Sequence, residues 1–198
     1  MVIGVDFDNT IICYDKVFNR VALEKGLIPE NLAEGKGFVR DYLRAKGAED
    51  EWTRLQGIVY GTQLDKASAY PGVTNFFKFC KDNGVKCFIV SHKTRHPYLG
   101  EPYDLHGAAK KWIRSMNFGV KVFFEETKEA KVDRIRALNC SIFIDDLPEF
   151  LSLPGFPPQM KKVLFDPLSK HACAQDDDRV RLGAWQELPG MIRGWTGM

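Results

Sequence analysis

Two aspartates, Asp6 and Asp8, stand two positions apart in the apolar stretch VIGVDFDNTII near the start of the chain. On a strand, residues i and i+2 point to the same side. Both carboxylates then share a face, with Cα atoms roughly 6.5 Å apart. At an effective dielectric of about 20, two such charges repel by about 2–3 kcal/mol. A core accepts that pair if one acid takes a proton or a cation lies between them. Asp145 and Asp146 end a second apolar run, SIFIDD, and Ser91 ends a third, KCFIVS. If these runs are parallel neighbours, four carboxylates and a hydroxyl meet at their carboxyl ends, where open α/β sheets bind ligands. Four acids without a cation are untenable, and an all-oxygen set favours Mg²⁺ over zinc or copper. Lys128 and Lys131 sit near the start of a helical pattern that follows VKVFF. Either offers a positive charge to set against a phosphate.

The elements that must position these residues follow from hydrophobic pattern. Short runs rich in Val, Ile and Phe occur at 2–7, 86–91, 120–124, 141–145 and 161–166. Several are continuous rather than alternating, which suits strands buried on both faces of a parallel sheet. Helical spacing separates them at 73–83, 105–116 and 129–139, the last with Val132, Ile135 and Leu138 on one face. Alternating strands and helices predict an α/β fold with a Rossmann-like, mostly parallel sheet. Residues 13–70 break the alternation with helix-like pieces at 16–25, 31–46 and 49–68 and no strong strand signal. This predicts a small helical insertion at 13–70 within a core domain formed by 1–12 and 71–198. A closing amphipathic helix is expected at 182–192.

Composition narrows the function classes. The chain has 198 residues, 44 % of them hydrophobic, and a formal net charge of +2. That charge gives no electrostatic case for a nucleic-acid polymer or a membrane surface, and no apolar run approaches the ~20 residues of a membrane span. Five cysteines without C-x-x-C spacing are expected to be reduced and mostly structural, in a cytoplasmic protein. The patch KHACAQDDD at 170–178, with His171 and Cys173, matches neither zinc nor calcium spacing and is expected to be a solvated loop. HKTRHP at 92–97 carries Lys93 and Arg95, and is either a reader of an anionic substrate or a solvated basic loop. The four tryptophans are expected to serve packing.

The stretch DFDNT resembles the D-x-D-x-T opening motif of the haloacid dehalogenase (HAD) superfamily. FIVS resembles its second motif, a lysine ahead of the fourth resembles the third, and IFIDD resembles the fourth, in the right order from Asp6 to Asp146. The insertion at 13–70 sits where that superfamily places a helical C1 cap. The segment IICYD departs from the Leu-x-Asp often found there. The resemblance implies a Mg²⁺-dependent phosphatase that hydrolyses a small phosphorylated metabolite through an aspartyl-phosphate. It assigns Asp6 as nucleophile, and Asp8 as the acid that protonates the leaving oxygen and then activates water. Thr10 fixes the turn and, with Ser91 and Lys131, serves the phosphate. Asp145 binds Mg²⁺ with Asp6 and the Asp8 backbone carbonyl, and Asp146 is an outer-shell group or further ligand. Lys131 is preferred to Lys128 because it directly precedes the helical face VDRIRAL.

Other functions compete. The dehalogenating branch lacks the second aspartate of the opening motif, and phosphonatases usually replace it, so Asp8 argues against both. A phosphomutase or phosphotransferase on the same fold shares all these residues. In a different class, a phospho-accepting receiver module also clusters Asp, Ser or Thr, and Lys around Mg²⁺. Its phosphorylated aspartate ends a later strand, however, and it has no helical insertion. A catalytically idle binding protein fits poorly with intact carboxylates.

Overall fold

The structure, a computed structural model, describes residues 1–171 and 179–197. Of the 170–178 patch, Lys170 and His171 alone lie within that range. Six strands form one parallel sheet: β1 (Val2–Val5), β4 (Lys86–His92), β5 (Lys121–Glu125), β6 (Ile142–Asp145), β7 (Lys161–Phe165) and β8 (Val180–Leu182). Their order is β5-β4-β1-β6-β7-β8. Two-residue strands β2 (Ile12–Cys13) and β3 (Ser68–Ala69) pair separately. The helices are α1 (Asp15–Glu24), α2 (Lys36–Ala45), α3 (Glu49–Tyr60), α4 (Val73–Asp82), α5 (Leu105–Ser115), α6 (Lys128–Ala137), α7 (Pro148–Leu151) and α8 (Leu188–Thr196). The α/β class and the parallel sheet are as the sequence predicts.

β1 lies between β4 and β6, and the strand order reverses there. This is the switch point at which α/β sheets open a crevice. Val5 pairs with Ile89 on one side and Ile144 on the other. The next step of the chain therefore brings Asp6 level with Asp145 and within one residue of Ser91. Close approach of β1 and β6 depends on Gly4: a Cβ there would lie 2.6 Å from the Phe143 ring. Against the sheet packs a core that includes Val90, Val132, Ile135, Phe143, Phe150 and Leu164.

Several local expectations need correction. β1 ends at Val5, so Asp6 and Asp8 lie beyond the strand and do not share a strand face. The chain turns there instead. Asn9 has φ 58°, and the Ile11 amide closes the turn on the Phe7 carbonyl at 3.0 Å. Asn is among the few non-glycine residues that tolerate this left-handed conformation. The closing helix begins at Leu188 rather than 182, because Leu182 is drawn into β8 and Pro189 suits a first helical turn. Strands β2, β3 and β8 and the four-residue α7 were not anticipated.

By internal contacts the chain forms two units: 1–11, 69–92 and 118–198, which carry the six-stranded sheet, and 12–68 with 93–117, which are largely helical. This division differs from the expected one in grouping 93–117 with the helices. Within the helical unit Tyr14, Phe18, Trp52 and Tyr60 pack ring on ring, with centroids 4.9–6.2 Å apart. Trp112 Nε1 donates to the Ala67 carbonyl at 2.9 Å. Gly57 lets Pro97 rest on α3, since a Cβ at that position would lie 2.9 Å from the proline ring. Among the described residues no helix is long and apolar enough to cross a membrane.

Candidate active site

Asp6, Asp8, Thr10, Ser91, Lys128, Lys131, Asp145 and Asp146 all lie in the sheet unit, whereas Lys93 and Arg95 lie in the helical one. Lys131 is the pivot. Thr127 caps α6 by accepting from the Ala130 amide at 3.0 Å. This starts the helix so that Lys131 shares its buried face with Val132 and Ile135. Lys131 Nζ donates to Asp6 Oδ1 and to Asp145 Oδ2, each at 2.6 Å. The lysine is 2 % exposed, Asp6 5 % and Asp145 0 %. Lys128, which opens α6, is half-buried and stands outside this arrangement.

Such burial has electrostatic consequences. Desolvation acts to depress Lys131, but the facing charges of Asp145 and Asp6 outweigh it and hold the ammonium above its ordinary range. Burial pushes Asp145 up to about 7; Lys131 opposes this and the charge of Asp6 adds to it. Asp145 Oδ1 also accepts from the Leu147 amide at 2.9 Å, which pins the carboxylate against the turn that follows β6.

Ser91 Oγ donates to Asp6 Oδ1 at 2.9 Å. Two donors, Ser91 and Lys131, thus converge on one oxygen of Asp6. Thr10, fully buried, donates from Oγ1 to Asp146 Oδ1 at 3.3 Å. Its hydroxyl ties the opening turn to the acid pair. Asp8 is half-buried on the same turn, and its carboxylate is not part of the cluster formed by Asp6, Asp145 and Asp146.

The cluster suits a hard cation. One oxygen from each of Asp6, Asp145 and Asp146 falls within 4.8 Å of the others. An octahedral site with bonds of about 2.1 Å needs ligand oxygens roughly 3–4 Å apart, so modest rotation of three carboxylates suffices. The donors are all oxygen, which fits Mg²⁺, and among the described residues no thiolate or imidazole joins the cluster to favour a softer metal.

Three supporting residues escaped sequence reasoning. Asn9 makes the turn. Trp185 Nε1 donates to the Thr10 carbonyl at 3.0 Å and clamps that turn from 175 positions away. Phe150 places its ring beneath Lys131 Nζ, 4.0 Å from the centroid. Asn9 carried a local signal, a left-handed-tolerant residue just past a strand. Trp185 and Phe150 carried none, because their role arises only in three dimensions. In HKTRHP, Lys93 is buried rather than solvated, with Nζ 4.8 Å over the Tyr60 ring, whereas Arg95 is exposed.

No protein-family model and no curated protein matches the chain. Solved structures do. A HAD-superfamily hydrolase from Ehrlichia chaffeensis superimposes with TM-score 0.56 at 13 % identity, covering 98 % of this chain and 96 % of that one. A putative HAD-hydrolase from Bacillus subtilis, bound to magnesium, gives 0.55 at 14 % identity over 96 % and 97 %. A HAD phosphatase from Thermococcus onnurineus gives 0.51 at 12 % identity over 98 % of both chains. At these identities the likeness is one of fold: the chain has the haloacid dehalogenase-like fold along nearly its whole length.

Proposed function

We propose that this protein is a Mg²⁺-dependent phosphatase that hydrolyses a small phosphomonoester through an aspartyl-phosphate on Asp6. The observation that carries the reading is the wedge of Lys131 between Asp6 and Asp145, beside a three-aspartate cluster at the switch point of the sheet. The magnesium-bound relative of the same fold supports the choice of metal, and Asp6, Asp145 and Asp146, with the Asp8 carbonyl, would hold the ion. Bound there, the ion supplies positive charge to the transferring phosphoryl group and neutralises the acids.

The chain's own residues supply the rest. Asp6 attacks phosphorus through a carboxylate oxygen, and the ester P–O bond breaks. Asp8 gives its proton to the departing oxygen. Asp8, now a carboxylate, takes a proton from water, which attacks the same phosphorus. The bond from Asp6 to phosphorus then breaks and inorganic phosphate leaves. One hard displacement is thereby divided into two. Lys131 holds Asp6 in place through both steps and offsets charge in a dry site, where electrostatics act most strongly. Ser91 and Thr10 complete the phosphate subsite as the reading assigns them, once substrate competes for the Ser91 hydroxyl. Cys80, Cys87 and Cys140 are buried thiols outside any disulfide among the described residues, in accord with the cytoplasmic setting we infer.

The test is hydrolysis of p-nitrophenyl phosphate. Activity should require Mg²⁺, vanish with EDTA and return on re-addition. Asp6→Asn should abolish turnover in a protein with an unchanged circular dichroism spectrum. Full turnover by that variant would end the nucleophile assignment.

A further inference from the structure

The ammonium of Lys131 has three N–H donors. Two go to Asp6 Oδ1 and Asp145 Oδ2. With the residue 2 % exposed, water is poorly placed to serve the third. Aromatic rings also stand against the ammonium: the Phe150 centroid lies 4.0 Å from Nζ and the Phe143 centroid 5.4 Å. Phe150 is itself 1 % exposed and held by two more rings, Phe143 at 5.9 Å and Phe156 at 5.4 Å, the latter edge-on. The backbone that carries it is anchored too, since Arg179 Nη1 donates to the Pro148 carbonyl at 2.9 Å. The face of an aromatic ring is electronegative and attracts a desolvated cation.

We propose that Phe150 is a positioning residue: its ring is the third partner of the Lys131 ammonium and fixes the height and direction from which Lys131 holds the nucleophile. A leucine at 150 would fill similar space but present no negative face. Lys131 would then lose one of three restraints, and Asp6 would lose the rigid partner that orients it. The effect should fall on turnover rather than on substrate affinity, because Phe150 touches the nucleophile's partner and not the leaving group. The kinetic part of this inference rests on the phosphatase reading; the contact between ring and ammonium does not.

The test replaces Phe150 with mono-, di- and trifluorophenylalanine. This series drains electron density from the ring face at nearly constant shape. It also makes the ring more apolar, so a residue that only fills space would leave stability unchanged or raised. With p-nitrophenyl phosphate, kcat should fall stepwise, by about 10-fold at the trifluoro ring, with KM little changed. The urea midpoint in EDTA should fall along the same series. In a Lys131→Met background both trends should disappear. A flat or rising midpoint along the series would overturn the proposal, as would trends that persist without Lys131. If the unsubstituted protein shows no hydrolysis, the phosphatase reading fails, and the midpoint series still decides the role of Phe150.

Discussion

Lys131→Met probes the centre of the site most directly. Methionine keeps an unbranched stem of similar bulk and removes the charge. In the wild type one ammonium serves two carboxylates at 2.6 Å each, and all three residues are at most 5 % exposed. Removing one partner from such a buried pair costs about 3–5 kcal/mol, because the remaining charge keeps its desolvation penalty and loses its compensation. For a chain of this size each kcal/mol lowers Tm by about 2–4 °C, so the metal-free variant should melt roughly 6–20 °C lower. Urea unfolding and thermal melts in EDTA measure this. Added Mg²⁺ should then raise Tm more in the variant than in the wild type, since a cation among the same carboxylates replaces the missing charge and binds only the folded chain. A loss below about 1 kcal/mol in EDTA would refute the reasoning, because that is the cost of an exposed ion pair. Equal stabilisation of both proteins by Mg²⁺ would refute the link between the lysine and the metal cluster.

Other expectations follow from single contacts. Gly4→Ala places a Cβ 2.6 Å from the Phe143 ring between two central strands, so it should cost about 1–3 kcal/mol in urea unfolding and reduce turnover by shifting Asp6. Asp166 is buried, which works against its charge, yet the amides of His171 and Lys170 and the charges of His171 and Arg181 hold its carboxyl below the usual range. A lowered folded value gives stability that is present above the unfolded value, about 4, and lost as pH falls through the folded one. Asp166→Asn should therefore be less stable than wild type at pH 6, by about 1–2 kcal/mol, with the difference shrinking as pH is lowered toward 2. Burial raises the Cys140 thiol to about 11, so iodoacetamide at pH 8 should label it, by peptide mass spectrometry, only after urea unfolds the protein.

Much of the sheet and the cluster of acids was legible because both are written in local pattern. Five apolar runs of strand length sit near β1, β4, β5, β6 and β7, and the acids and hydroxyl of the candidate site lie at the ends of three of them. What escaped was of two kinds. Short elements, such as the two-residue β2 and β3 and the four-residue α7, span too few positions to show any period. β8, VRL, is a brief edge strand with a charge in its middle. Long-range buttresses form the second kind. Nothing near Trp185 marks it as a clamp on Thr10, and nothing near Pro97 marks it as seated on Gly57. The end of β1 at Val5 does not show in the sequence, because Phe7 continues the apolar pattern past the last residue of the strand.

The grouping of 12–68 with 93–117 bears on modular exchange. An engineer who transplanted 12–68 alone would leave behind part of that unit. The Trp112 indole would lose the Ala67 carbonyl, and the 97–103 segment would face whatever helix the donor supplied in place of Gly57. A working graft has to carry both stretches, with four splice points rather than two.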